Sequence, residues 1–199
     1  MEYVKVNTRR VFIDNNSIYL ESFGINRIDE IKRLKKYKNL RELYLEKNKI
    51  SQITSLDKNV DLRKLHLELN LITEISGLDS LINLEELELK GNQISVIKGL
   101  IKLKKLQNLD LSFNKIKKME GLDTLTNLER LELSNNQIET IEGLEKLSTL
   151  KFLSLNNNPI SEIKGLNHLI NLQELRIRNT NVKIKPDLNY LPHLTKFEF

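Results

Sequence analysis

A chain of 199 residues, 39% hydrophobic and 30% charged, has the balance of one folded domain, and a net charge of +5 is too modest for its length to require nucleic acid or a membrane as partner. The absence of cysteine excludes a disulfide framework, a thiolate nucleophile and a thiolate metal site. No apolar run is long enough to span a bilayer, and Met1-Glu2-Tyr3-Val4-Lys5 lacks the basic-then-apolar layout of a secretory signal, so a cytoplasmic protein is expected.

Residues 1–23 carry three β-prone runs: Tyr3 with Val4 and Val6, Val11-Phe12-Ile13, and Ile18-Tyr19-Leu20. Asp14-Asn15-Asn16-Ser17, between the last two, is rich in turn formers. The turn predicts a hairpin of those two runs, and the segment reads as an N-terminal β-hairpin cap. Asn15-Asn16-Ser17 also fits a glycosylation sequon, but without an export signal it is read as a turn. The array proper is expected over 24–199. Gly24-Ile25-Asn26-Arg27-Ile28 opens it, with Ile28, Ile31 and Leu34 in phase and Glu21 standing where a strand leucine is expected.

From there one frame recurs. Asn48, Asn70, Asn92, Asn114, Asn136 and Asn158 are each 22 residues apart. Leu87 and Leu89 before Asn92, and Ile94 and Ile97 after it, return as Leu109, Leu111, Ile116 and Met119, then as Leu131, Leu133, Ile138 and Ile141. Such a period means a solenoid, because one repeat of this size cannot bury its own apolar face and must stack on its neighbours. Leu87-Glu88-Leu89 alternates as a strand, and its equivalents should stack in parallel about 4.8 Å apart. Leu78, Leu81 and Leu84 come every third residue, which suits a 3₁₀ or short helical turn on the convex side. The asparagines stand where the chain leaves the sheet and should form a hydrogen-bonded ladder. Gly77, Gly99, Gly121, Gly143 and Gly165 share one slot that calls for positive φ or close backbone approach.

The pattern L-x-x-L-x-L-x-x-N-x-I-x-x-I-x-G-L resembles the 22-residue leucine-rich repeat over roughly residues 34–199, implying an α/β solenoid, a horseshoe with a parallel inner sheet. Within that superfamily the repeat looks most like that of the regulatory subunit of type-1 protein phosphatase. That resemblance implies a catalytic subunit, or another regulated protein, gripped by the inner face. Internalin-type bacterial adhesins use a similar repeat length and stand second.

Departures are local. Asp57-Lys58-Asn59-Val60-Asp61 lacks the usual leucine, so an irregular convex turn is expected there. Towards the end Thr180 replaces the asparagine and Lys185 the second isoleucine, while Phe197 and Phe199 keep the strand slots of Leu175 and Ile177. A terminal strand blunted by Pro192, Lys196 and Glu198 predicts a monomer.

No catalytic signature is present. The chain has no phosphate-binding glycine loop, and His66, His168 and His193 have no metal-ligand spacing, so no enzyme, cofactor or metal is expected. Function should lie on the inner face, whose outward positions packing does not fix. The central strand slot reads Tyr44, His66, Glu88, Asp110, Glu132, Ser154, Arg176 and Glu198; the slot two residues earlier includes Glu42, Lys64, Glu86, Arg130 and Phe152. The row Glu88, Asp110, Glu132 sets like charges on adjacent strands, each neighbouring repulsion costing about 1 kcal/mol in water. It predicts either an anionic strip for a basic protein surface or a solvated face on which Lys90 and Arg130 act as partners. A carboxylate pair doing hydrolysis or holding a divalent ion ranks last. Tyr44, Leu69, Phe113 and Phe152 are aromatic or aliphatic anchors on or beside that face, or else extra core. The predicted protein-binding set is Tyr44, His66, Glu86, Glu88, Asp110, Phe113, Glu132, Phe152 and Arg176. Lysines and arginines of the outer turns, such as the run from Lys32 to Arg41, are read as solubilising, since no aromatics are interleaved for base stacking.

Overall fold

The computed structural model describes residues 2–199, so the cap expected over 1–23 is seen from Glu2 onward and Met1 lies outside the described residues. β1 (Tyr3–Val6) and β2 (Arg9–Phe12) form an antiparallel pair. Nine three-residue strands then stack in one parallel sheet in chain order: β3 (Ser17–Tyr19), β4 (Glu42–Tyr44), β5 (Lys64–His66), β6 (Glu86–Glu88), β7 (Asn108–Asp110), β8 (Arg130–Glu132), β9 (Phe152–Ser154), β10 (Glu174–Arg176) and β11 (Lys196–Glu198). Consecutive strands pair in the 22-residue register from β4 to β11, Leu65 with Leu87 and Leu87 with Leu109. The convex side has no α-helix among the described residues. Its turns close by i→i+3 bonds at the leucine triplets, as from Leu81 N to Leu78 O and from Leu84 N to Leu81 O. The expected solenoid with a parallel inner sheet is present, and of the two convex-side alternatives it takes the 3₁₀ one: its regular helical segments are two 3₁₀ turns, Ile28–Glu30 and Leu34–Lys36.

Leucines and isoleucines of every coil fill one continuous core, nearly all without solvent exposure. The asparagine ladder spans it. Asn92 Nδ2 donates to Leu89 O of its own coil and to Leu67 O of the preceding one, both at 2.9 Å, while its Oδ1 accepts from Ile72 N at 2.9 Å. One side chain thus satisfies three buried backbone groups that the bend out of the sheet would otherwise leave bare. From Gly77 onward the slot is glycine for a steric reason: Gly143 has φ 73°, and a Cβ there would stand 1.9 Å from Met119 O of the coil before, while Ser55 holds the slot one coil before Gly77 at φ 64°.

The N-terminal coil departs from expectation in two ways. The hairpin joins β1 to β2 through Asn7-Thr8, and Ile18-Tyr19-Leu20 does not pair back on β2. The Asp14–Ser17 turn does form, with Asn15 and Asn16 both at positive φ, but it delivers β3 into the parallel sheet beside β4. The reason is burial: Ile18 is fully enclosed beside Leu43, whereas β2 lies largely exposed on the rim. Secondly, the first coil is longer. Ile25 N donates to Asn48 Oδ1, the bond that Ile50 N makes to Asn70, so Ile25 and Ile28 take the two isoleucine slots assigned above to Ile28 and Ile31. Three extra residues, Ile31 to Arg33, are absorbed where Lys32 exchanges backbone bonds with Lys5. Asn26 is exposed and takes no part in the ladder.

The turn at 57–61 is regular, also against expectation. Asn59 fills the leucine slot with no solvent exposure, its backbone makes the usual i→i+3 bonds, and its Nδ2 donates to Leu34 O and Tyr37 O of the neighbouring coil. Tyr37, in the equivalent slot one coil earlier, donates its hydroxyl to Tyr3 O and so ties the hairpin to the stack.

Candidate functional site

Because strand residues alternate in direction, the leucine at the centre of each strand points inward and its two neighbours point to the concave surface. The parallel register then aligns the outward residues into columns: Tyr44 opposite His66, His66 opposite Glu88, Glu88 opposite Asp110, and Asp110 opposite Glu132. The three carboxylates expected to form a row do so, half-buried on neighbouring strands. Burial pushes the Glu88 carboxyl up to about 8, with Asp110 and Glu68 adding to the shift and His66 opposing it. Burial also raises Glu132, against the pull of Arg130. The two basic partners expected for the row behave differently. Arg130 bonds Glu132 at 2.5 Å, whereas the Lys90 ammonium lies over the Phe113 ring, 5.3 Å from its centroid.

The strip ends in aromatics towards the N-terminus. Tyr19 and Tyr44 stack with centroids 4.7 Å apart and planes at 9°, and His66 packs on the far side of Tyr44. Tyr44 donates to Glu42 Oε2 at 3.0 Å, and burial together with that carboxylate holds its phenol protonated well above the usual range. Tyr19 is half exposed and continues the column, yet sequence reasoning missed it because the longer first coil puts Ser22, not Tyr19, 22 residues before Tyr44. His66 Nε2 lies 2.9 Å from Glu86 Oε1, and its Nδ1 faces Glu46 and Glu68. Burial opposes the charged imidazole, but Glu68 and Glu86 outweigh it and raise the ring to about 9.

Beside the strip runs a column in the left-handed backbone region: Lys47, Leu69, Gly91, Phe113, Asn135, Asn157 and Asn179, with φ between 54° and 69°. Glycine and asparagine sit there without penalty, whereas a bulky side chain is uncommon. Leu69 and Phe113 accept that conformation and are also half exposed, so packing of the chain itself explains neither. Phe152 is the opposite case. It is 7% exposed, its ring enclosed between Arg130 at 3.7 Å and Arg176 at 5.0 Å, so the concave surface there presents guanidinium and not an aromatic anchor. Arg176 is itself held by Glu174 and Glu198.

A repeat that adds one strand to a parallel sheet, turns on an asparagine and returns through an i→i+3 turn defines a leucine-rich-repeat solenoid. The family model described as leucine-rich repeats (2 copies) matches residues 82–124 and 126–168, inside the same repeating array. No curated protein matches the chain. Among solved structures it is similar to internalin C2 of Listeria monocytogenes, at 28% identity and a TM-score of 0.84, over 96% of this chain and 84% of that one. It is also similar to the internalin InlF of the same organism (27%, TM-score 0.68, 96% of this chain) and to TLR13 in a TLR13–ssRNA13 complex (26%, TM-score 0.73, 81% of this chain). The chain spans 63% of that InlF and 26% of that TLR13. No helix of the described residues is long and apolar enough to cross a membrane.

Proposed function

We propose that the chain is a non-enzymatic interaction module that holds a protein partner by a basic patch on its concave face, in a regulatory or scaffolding role. The observation that carries this reading is the row Glu88, Asp110, Glu132: half-buried carboxylates aligned on adjacent strands, a costly arrangement that folding does not require. A cationic surface docking there supplies the missing counter-charge, with Tyr19, Tyr44, Leu69 and Phe113 as apolar anchors around it. The test is a pull-down from lysate of the source cell, comparing the wild type with the E88Q/D110N/E132Q variant. Loss of the captured partner supports the strip, and undiminished capture at low salt sinks it. Probing the captured fraction for a type-1 phosphatase catalytic subunit tests the partner that the sequence resemblance implies.

The likeness to internalin C2 favours a second reading, an adhesin displayed on a cell surface rather than a cytoplasmic regulator. Protease shaving of intact source cells separates the two. Peptides of this chain released before lysis support the adhesin, and their appearance only after lysis supports the cytoplasmic module.

A further inference from the structure

We propose that Glu46, His66 and Glu68 form a site for one divalent transition-metal ion, with zinc the ion whose ligand preferences they match. Glu46 lies just beyond β4, while His66 ends β5 and Glu68 follows two residues later on extended backbone, so all three side chains leave the same face. His66 Nδ1 is 3.7 Å from Glu46 Oε1 and 3.5 Å from Glu68 Oε1, and the three donor atoms lie within 4.8 Å of one another. Two ligands bound to one zinc at 2.0–2.2 Å and at the tetrahedral angle stand about 3.4 Å apart, so the donors need only small side-chain movements to close on an ion.

Three further observations point the same way. Glu86 Oε1, 2.9 Å from His66 Nε2, anchors the ring from behind, so that a cation displacing the Nδ1 proton from between Glu46 and Glu68 finds the imidazole already oriented. That is how metal-binding imidazoles are usually oriented by a carboxylate behind them. Next, Glu46 Oε2 and Glu68 Oε2 are closed off from water and have no hydrogen-bond partner, a costly state for carboxylate oxygens that a cation relieves when each carboxylate binds it through both oxygens or turns to present Oε2. Finally, no lysine or arginine of the described residues pairs with either glutamate; their ion-pair partner is His66 itself. The side chains remain 16% to 22% exposed, enough for an ion to enter from the concave groove, and three protein ligands leave one coordination position open.

The site is tested on the untagged chain alone, with no partner, so its failure would leave the docking reading intact. Zinc is titrated by calorimetry, and cobalt(II) is added in parallel as a spectroscopic probe. The expected result is saturable uptake of one ion per chain, with a visible cobalt band of low coordination number. H66Q and, separately, E68Q should weaken binding at least about tenfold, while H168Q and H193Q leave it unchanged. Circular dichroism checks that each variant is folded, and should H66Q fail, E46Q and E68Q decide. No saturable uptake by the wild type, equal weakening by all three histidine variants, or unchanged uptake in the glutamate variants would each overturn the proposal.

Discussion

The C-terminal end and the centre of the concave sheet use the same slots in different ways. On β10 and β11 every charge has its answer: Lys196 bonds Glu174 at 2.8 Å and Glu198 at 3.2 Å, and Arg176 bonds Glu174 at 2.5 Å. On β6 and β7 the same positions hold Glu88 opposite Asp110 with no ion pair for either among the described residues, and Asp110 instead accepts a bond from the Ser112 N–H. The scaffold accommodates a neutralised column, so it does not impose the acidic one. The difference leaves Glu88 and Asp110 without an ion-pair partner inside the chain among the described residues, and the proposed docking of a basic surface rests on that.

The largest effect expected from breaking this contrast is on binding. Neutralising Glu88, Asp110 and Glu132 should abolish partner capture while thermal stability stays the same or rises slightly, because repulsion is relieved and no core contact is cut. Neutralising Glu174 and Glu198 should leave capture intact and lower stability slightly, the small return usual for exposed ion pairs. Phe113→Ala should weaken capture with little change in melting temperature, since the ring is half exposed. Equal losses of stability in Phe113→Ala and Asn114→Ala would instead make Phe113 part of the core.

Asn114 itself sets the scale of a purely structural change. Its Nδ2 donates to Leu89 O and Leu111 O at 3.0 Å, and its Oδ1 accepts from Ile94 N at 2.9 Å. Asn114→Ala should cost on the order of 1 to 3 kcal/mol in denaturant unfolding, by leaving buried backbone groups unpaired. Asn92→Ala and Asn136→Ala should cost about as much, because the ladder takes no notice of which concave side chains lie beside it. A loss confined to one of the three would show that the array is not uniform beneath the strip.

How much of this was legible depends on whether a demand repeats. The ladder, the glycine slot and the aligned columns were readable because close packing makes the same request every 22 residues. The N-terminal coil was not: three extra residues shift its phase, which moved Ile28 and Ile31 out of their assigned slots and hid Tyr19 from the column it heads. Asn59 looked like a broken leucine slot, since spacing alone does not reveal two carbonyls of the adjacent coil within reach of its amide. Phe152 and Phe113 were indistinguishable in sequence; the arginines on either side of Phe152 decide its burial. His66 read as a lone histidine for a related reason. Its carboxylate neighbours Glu46, Glu68 and Glu86 come from three successive coils and meet it only through the side-chain geometry of the folded face.

The smallest effect is local and concerns pH, where the central strands and the C-terminal end should respond with opposite sign. Glu132 faces Arg130, Asp110, Ser154 and Arg176, and burial raises its pKa in the folded chain. Its contribution to stability is therefore complete below the ordinary glutamate pKa and is lost as pH rises through the raised value. Glu174 is also opposed by burial, but Lys196 and Arg176 prevail and lower its pKa, so its contribution is present above the ordinary value and fades as pH falls through the depressed one. Hydrogen exchange read by mass spectrometry, corrected for the intrinsic pH dependence of the amides, should show peptides of β8 better protected at mildly acidic than at mildly alkaline pH. Peptides of β10 and β11 should lose protection only on stronger acidification. E132Q should flatten the first trend and leave the second in place. If E132Q changes neither trend, then burial of that carboxylate does not set the pH response of the central strands, and the electrostatic contrast between them and the C-terminal end fails on this measurement.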